Sequence, residues 1–272
     1  MAEKLIVVTG SKGGVGATTV ALNLTVQLAQ LTSKRVVLLE FARPCGQIGL
    51  MVDFHSRFTL LDALERIERL DESLLASLFT RHKSGIEILA GPPHAALRAE
   101  QRQSVTLESL LRILELARAA YDFVVVALGF LNAAEWSRVL RTADTLLLIA
   151  EPSALALGML ERYLHAVDSA GLDRARFQII INRARQNDDD PVGHSEKILQ
   201  QSFFARLPND FRQVSEAVTL GIPLTAASNN PLVGRYRNAA TRLIAQPPAR
   251  KPEPLESPIN SRADAPLPVG AK

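Results

Sequence analysis

Cysteine is almost absent from this chain of 272 residues, since Cys45 is the only one. A single cysteine excludes an intramolecular disulfide framework and is typical of a reducing compartment. The five histidines show no spacing typical of a zinc site. Aromatic residues make up only 5% of the chain, and the net charge of +3 does not indicate a dense basic surface for nucleic acid.

Long hydrophobic runs are also missing, because no stretch reaches the roughly 18 apolar residues of a membrane-spanning helix. The N-terminal segment carries Glu3 and only about five apolar residues before Thr9, which predicts a strand and not a signal peptide. Residues 246–272 contain seven of the fifteen prolines and no aromatic residue. Such a composition predicts a disordered tail, and we expect the compact domain to span residues 1–245.

Short β-branched runs alternate with helical patterns along this domain. Strands are predicted at Leu5–Thr9, Arg35–Glu40, Ile86–Leu89, Asp122–Leu128, Asp144–Ala150, Phe177–Asn182 and Phe203–Leu207. Helices are predicted at about 18–32, 59–79, 104–120, 133–142, 154–170, 192–202, 210–219 and 231–245. Several strands are continuously hydrophobic, which is typical of parallel strands covered on both faces. The pattern therefore predicts an α/β fold, a doubly wound and mostly parallel sheet with ligands at the carboxyl ends of its strands.

A glycine-rich loop follows the first predicted strand and precedes a helix. Its glycines are Gly10, Gly13, Gly14 and Gly16. Glycines at this spacing let successive backbone N–H groups point at one anion, and the helix N-terminus adds its positive end. The loop therefore predicts a phosphate cradle.

The loop sequence SKGGVGATT resembles the deviant Walker A box of the MinD/ParA superfamily, whose pattern is KGGxGK[ST][ST]. The resemblance implies a P-loop nucleotide-binding fold with ATP or ADP as cofactor. It makes Lys12 the lysine that reaches phosphates across a dimer, and Thr18 a magnesium ligand. Ala17 stands where the pattern has its phosphate-gripping lysine. The implied nucleotide-binding residues of the loop are Lys12, Gly13, Gly14, Val15, Gly16, Ala17, Thr18 and Thr19.

Two carboxylates of the superfamily pattern are replaced by alanine as well. Its D-x-D motif reads Glu40-Phe41-Ala42 here, and its Walker B aspartate falls on Ala127. Asp122 lies at the opposite end of that strand, roughly 16 Å away at about 3.3 Å per residue, too far to substitute. Because phosphoryl transfer depends on positioning and charge neutralisation, we expect hydrolysis to fall by several powers of ten.

Two later motifs match the adenine side of the superfamily's nucleotide cleft. The pair Asn182-Arg183 ends one predicted strand, and the residues Pro208, Asn209 and Asp210 follow another. The amide of Asn182 can satisfy both a donor and an acceptor on a base edge. The resemblance implies a base cleft, whereas the residues alone favour a strand cap with a solvated arginine.

The motifs ADTLLLIAEPS, INR and LPNDFRQVSEAVTLGIPL resemble the CpaE/TadZ branch of pilus-assembly proteins over residues 4–245. This resemblance implies a cytoplasmic homodimer at the inner face of the membrane or the cell pole, bound to the membrane only indirectly. Its partners would be the machinery of a Flp/Tad pilus or secretion system, including a secretion ATPase. The implied function is localisation or assembly with weakened nucleotide binding.

Two other functions stay open. A working ATPase would rely on Lys12, Thr18 and Glu40, and a ParA-like protein would bind DNA through Arg235, Arg237 and Arg242, next to Tyr236. The small net charge favours a solvated helix face over DNA binding.

Overall fold

The described part of the chain is built on an eight-stranded sheet. The structure is a computed structural model and describes residues 4–41, 45–92, 106–129, 138–139, 141–169, 171–185, 191–224 and 230–247. The strands are β1 (Lys4–Gly10), β2 (Val36–Phe41), β3 (Thr80–Arg81), β4 (Glu87–Leu89), β5 (Phe123–Leu128), β6 (Thr145–Ala150), β7 (Phe177–Ala184) and β8 (Ala205–Pro208). They lie in the order β3-β4-β2-β5-β1-β6-β7-β8. Among the strands within the described residues only the pair β3–β4 is antiparallel, and this confirms the predicted doubly wound, mostly parallel sheet.

The helices cover both faces of the sheet. They are α1 (Ala17–Leu31), α2 (Ile48–Met51), α3 (Leu60–Leu64), α4 (Glu72–Leu78), α5 (Leu107–Ala120), α6 (Ala154–Ser169), α7 (Pro191–Leu199), α8 (Phe211–Thr219) and α9 (Pro231–Ala245). Among the helices within the described ranges, none combines the length and apolar character that crossing a bilayer requires.

The core consists of two apolar layers separated by the sheet. On β1, Leu5 and Val7 belong to the layer under α3–α6, while Ile6 and Val8 belong to the layer under α1, α8 and α9. All four side chains have no exposed surface. Since successive side chains of a strand point to opposite faces, a central strand can be continuously hydrophobic only when both faces are covered.

The predicted helical segment 59–79 forms a helix pair, and two short elements elsewhere were not predicted. Helix α3 ends at Leu64, a 3-10 turn covers Ile67–Arg69, and Asp71 caps α4 by accepting a hydrogen bond from the Leu74 amide. The short helix α2 and the edge strand β3 were not predicted from the sequence. Of the predicted helix 133–142, residues 138–139 and 141–142 are helical.

Several sequence-based expectations lie outside the described residues. These are the tail from residue 248 onward, Ala42, and residues 133–137 and 140 of the predicted helix. The division into a domain of residues 1–245 and a tail stays a prediction.

Candidate nucleotide-binding site

The glycine-rich loop lines a cavity of about 480 Å³ at the carboxyl edge of the sheet. The cavity is lined by residues 9–10 and 12–19, together with Glu40, Cys45, Gln47, Leu128, Gly129 and Arg183. These residues lie at or just after the carboxyl ends of strands β1, β2, β5 and β7, which meet at one edge because the strands are parallel. The cavity therefore lies where a doubly wound sheet binds its ligands.

The loop conformation depends on glycine at the residue before α1. Gly16 has a φ of 90°, and a Cβ atom built there would lie 2.5 Å from Nδ2 of Asn182. The same nitrogen donates a hydrogen bond to the Val15 carbonyl oxygen at 2.8 Å. The Ser11 amide donates to the Ile149 carbonyl oxygen, also at 2.8 Å. The strands on one side of β1 thus hold the loop in the shape of an anion cradle at the N-terminus of α1.

Lys12 points into a three-residue charge cluster at the rim of this cavity. Its Nζ lies 2.6 Å from Oε1 of Glu151, and NH1 of Arg183 lies 3.7 Å from Oε2 of the same carboxylate. The hydrogen bond from Lys12 holds the pKa of Glu151 below its ordinary value, and the charges of Lys12 and Arg183 act in the same direction. At neutral pH the carboxylate is therefore charged and engaged by the lysine.

Glu40 is buried and binds the backbone of two loops. Its Oε1 accepts hydrogen bonds from the amides of Gln47 at 2.6 Å and Ile48 at 3.1 Å, and its Oε2 accepts one from Gly91 at 2.9 Å. A Cβ on Gly46 would lie 2.7 Å from the Gly91 Cα, so the two loops touch through glycine backbone. Three of the roughly four acceptor positions of the carboxylate are therefore occupied by its own scaffold.

Ala127 lies beside Glu40 in the register of β5 and β2. Glu40 and Ala127 lie two residues after Leu38 and Val125, whose side chains belong to the α1 layer, so both residues face that side of the sheet. Asp122 lies at the other end of β5, where its Oδ2 accepts a hydrogen bond from the Arg35 amide. Asp122 precedes Phe123, which pairs with Lys4 at the start of β1, so it lies at the end of the sheet opposite the glycine-rich loop.

The residues predicted to border adenine lie at the carboxyl ends of β7 and β8 and at the start of α8, and not all of them line the cavity. Arg183 lines it and has a φ of 58°, which is uncommon for a residue with a side chain. The Asn209 amide donates to the Ala184 carbonyl oxygen, and Asp210 caps α8 by accepting from the Gln213 amide. Asn182, Pro208, Asn209 and Asp210 are not among the residues that line the cavity. Their role at a base stays a prediction.

The three arginines of helix α9 that were predicted to bind DNA are all exposed. Arg235 and Arg237 are exposed, and Tyr236 between them is buried in the core, where burial raises the pKa of its hydroxyl. The Arg242 guanidinium lies 4.3 Å from the centroid of the Phe204 ring and donates to the Phe204 carbonyl oxygen. Of the predicted DNA-binding set, Tyr236 is therefore buried, whereas Arg242 is exposed and its guanidinium is engaged with Phe204.

Glu151 is the site residue that the sequence analysis missed. It follows β6 directly, so it stands where a buried parallel strand reaches the ligand-binding edge. A charged residue at that position was the available signal. Gln47 and Cys45 were also not predicted to line the cavity, because the fold of residues 45–48 depends on contacts with Glu40 and Gly91.

The strand order and the glycine loop before α1 define a P-loop nucleotide-binding fold. A family model described as an AAA domain matches residues 3–179, well over half of the chain. The MinD-type septum site-determining protein of Oltmannsiellopsis viridis is 27% identical over 258 residues, which cover 89% of this chain and 76% of that protein. The chain therefore belongs to the AAA-domain family, within the MinD/ParA superfamily of P-loop proteins.

Two solved structures share the fold. The ParA family ATPase from Chlorobium tepidum TLS has a TM-score of 0.78 and 22% identity, with 89% of this chain and 99% of that chain covered. The MinD protein of Pyrococcus horikoshii OT3, solved with Mg-ADP, has a TM-score of 0.72 and 21% identity, with coverage of 89% and 96%.

Replacing Gly16 by alanine is expected to lower the free energy of unfolding by about 1–3 kcal/mol. The backbone there has a positive φ, which strains a residue with a side chain, and the added Cβ would clash with Asn182. Gly13→Ala is the matched control, since a Cβ at Gly13 meets no atom within 4 Å, and its effect should stay within about 0.5 kcal/mol. Urea unfolding measures both free energies. Equal losses in the two variants would contradict this account of the loop.

Replacing Glu40 by glutamine is expected to lower the free energy of unfolding by about 1–3 kcal/mol, because an amide NH2 group would face a backbone N–H that now has an acceptor. Glu115→Gln removes the same charge from an exposed position on α5 and should change stability by less than about 0.5 kcal/mol. Chemical denaturation compares the two variants. A Glu40→Gln variant as stable as the unmodified protein would show that the three hydrogen bonds do not hold the loops.

Proposed function

We propose that this protein is a positioning and assembly factor of the MinD/ParA superfamily that binds ATP or ADP weakly and has lost most of its hydrolysis. The observation that carries the proposal is that Glu40 binds backbone amides. Within the described residues, Glu40 is the carboxylate that stands at the superfamily's D-x-D motif. It is 2% exposed and holds three backbone amides. A carboxylate bound in this way has only about one of its roughly four acceptor positions left for a magnesium ion or a water.

The backbone of the loop supports nucleotide binding, whereas the side chains support only a weak grip. The cavity, the glycines and the N-terminus of α1 are the elements that bind a phosphate through backbone N–H groups. Ala17 contributes no charge, and Lys12 is engaged by Glu151. Since a hydrogen bond to a charged group contributes ~1.5–3 kcal/mol, these two departures favour weak binding.

The residues at the site do not fit a magnesium ion. The Thr18 hydroxyl lines the cavity, but the Walker B position is Ala127, and Glu40 is occupied by backbone amides. In the part of the chain that the structure describes, no group of three or more His, Cys, Asp or Glu side chains is arranged to hold a metal. Magnesium prefers octahedral oxygen ligands with at least one carboxylate, and among the described residues that line the cavity no carboxylate is free of backbone hydrogen bonds.

The cellular role rests on the resemblance to the CpaE/TadZ branch and on the relatives. The MinD-type relatives support a role in positioning, and the motif at residues 207–224 supports the pilus-assembly branch. We infer a homodimer that acts at a Flp/Tad pilus or secretion system together with its secretion ATPase. A working ATPase would need Lys12 to leave Glu151, and a DNA-binding protein that uses Arg242 would need its guanidinium to leave the Phe204 ring and carbonyl oxygen.

We expect the purified protein to bind nucleotide without hydrolysing it at an appreciable rate. We expect ADP binding by isothermal titration calorimetry that changes by less than roughly threefold, or ~0.6 kcal/mol, when magnesium is removed with EDTA. Phosphate release from ATP should not fall when Lys12 or Thr18 is replaced by alanine, because neither group supports turnover. Magnesium-dependent turnover that Lys12→Ala abolishes would overturn the proposal in favour of a working ATPase.

The assembly role predicts a phenotype that does not depend on hydrolysis. Deleting the gene should abolish surface pili in the producing cell, and the unmodified chain and Thr18→Ala should restore them equally. Gly16→Ala is the control with a disrupted loop and should restore them poorly. Pilus counts by electron microscopy measure the outcome, and normal pilus assembly in the deletion strain would contradict the role.

A further inference from the structure

We propose that Glu151 is a built-in competitor for the phosphate group, an internal carboxylate that occupies Lys12 and so sets the affinity of the cavity for polyphosphates. Glu151 acts through Lys12 and is therefore a positioning residue. The inference rests on the proposed nucleotide binding and identifies the side chain that weakens it.

The contact between the two side chains is short and partly shielded from water. Nζ of Lys12 and Oε1 of Glu151 are 2.6 Å apart, and the side chains retain 30% and 23% of their exposed surface. Lys12 also lines the cavity, so the residue that binds Glu151 borders the space that a phosphate would enter. A phosphate and the Glu151 carboxylate are both oxygen anions that bind an ammonium group, so they compete for the same partner.

The sheet holds Glu151 in place independently of Lys12. The residue follows β6, whose Ala150 pairs with Ile181 of β7, and the preceding Ile149 carbonyl oxygen accepts the Ser11 amide hydrogen bond. The Ser153 amide donates to the Glu151 carbonyl oxygen at 2.8 Å. Since the backbone on both sides is fixed, the carboxylate is presented to Lys12 by the scaffold.

The Glu151 carboxylate also lies close to a second cation that an anion in the cavity would meet. NH1 of Arg183 lies 3.7 Å from Oε2 of Glu151, and Arg183 also lines the cavity. One carboxylate thus lies between two cations at the rim and reduces the positive charge that they offer a polyphosphate. Because Lys12 lowers the pKa of Glu151, this negative charge persists at neutral pH.

The test compares ADP and inorganic pyrophosphate binding by isothermal titration calorimetry in five proteins. They are the unmodified chain, Glu151→Gln, Lys12→Ala, the double variant and the charge-matched control Glu115→Gln. Glu151→Gln should tighten binding roughly three- to tenfold, which is the range of a half-buried ion pair. In the Lys12→Ala background the same change should have less than about half that effect on a logarithmic scale, and Glu115→Gln should shift binding by less than about twofold.

Thermal melting verifies that each protein is folded. If Glu151→Gln does not fold, Glu151→Asp is measured in its place. The aspartate keeps the charge but withdraws it by one methylene group, so binding should tighten by less than in Glu151→Gln. If the unmodified chain binds ADP or pyrophosphate and Glu151→Gln leaves that affinity unchanged or weakens it, this inference is overturned and the proposed function stands. Absence of binding in all folded variants would overturn both the proposed nucleotide binding and this inference. A tightening that is equally large without Lys12 would assign the effect to Arg183 and overturn the role of Lys12.

Discussion

The hydrogen bonds that tie the glycine loop to strands β6 and β7 are the constraint on which the site depends. The Ser11 amide is held by the Ile149 carbonyl oxygen, and Asn182 holds the Val15 carbonyl oxygen while closing the space beside Gly16. The cradle therefore keeps its shape through neighbouring backbone and one amide side chain. None of these hydrogen bonds involves the side chain of residue 17, which is alanine here, so the shape of the loop does not depend on a lysine at that position.

The charged groups around the cavity are largely engaged with the protein itself. Glu40 binds the amides of two loops, and Glu151 binds Lys12. In a working phosphoryl-transfer site the equivalent charges act on a metal, a water or a phosphate. Here Glu40 and Glu151 bind groups of the protein itself, and this is the observation on which the proposed loss of hydrolysis rests. The proposed function follows from these contacts more directly than from the alanines alone.

The sequence predicted the architecture well because its strands are hydrophobic on both faces and its helices are amphipathic. Strands β1, β2, β5 and β6 are found within one residue of their predicted bounds. Strand β3 and helix α2 were not predicted, since two and four residues carry too little periodicity. Helix α2 also depends on Glu40, which accepts the amide hydrogen bonds at its start from a distant strand.

The sequence by itself determined that the chain forms a P-loop fold, that its loop has the glycines of a phosphate cradle, and that positions 17 and 127 are alanine. These are local properties, since spacing and side-chain type are read within one short segment. Only the tertiary structure decided what the remaining charges do. Lys12 and Glu151 are 139 residues apart in the chain, and so are joined only when β1 and β6 pair. Glu40 and Gly91 likewise meet because two loops return to the same edge of the sheet, and no local pattern records that contact.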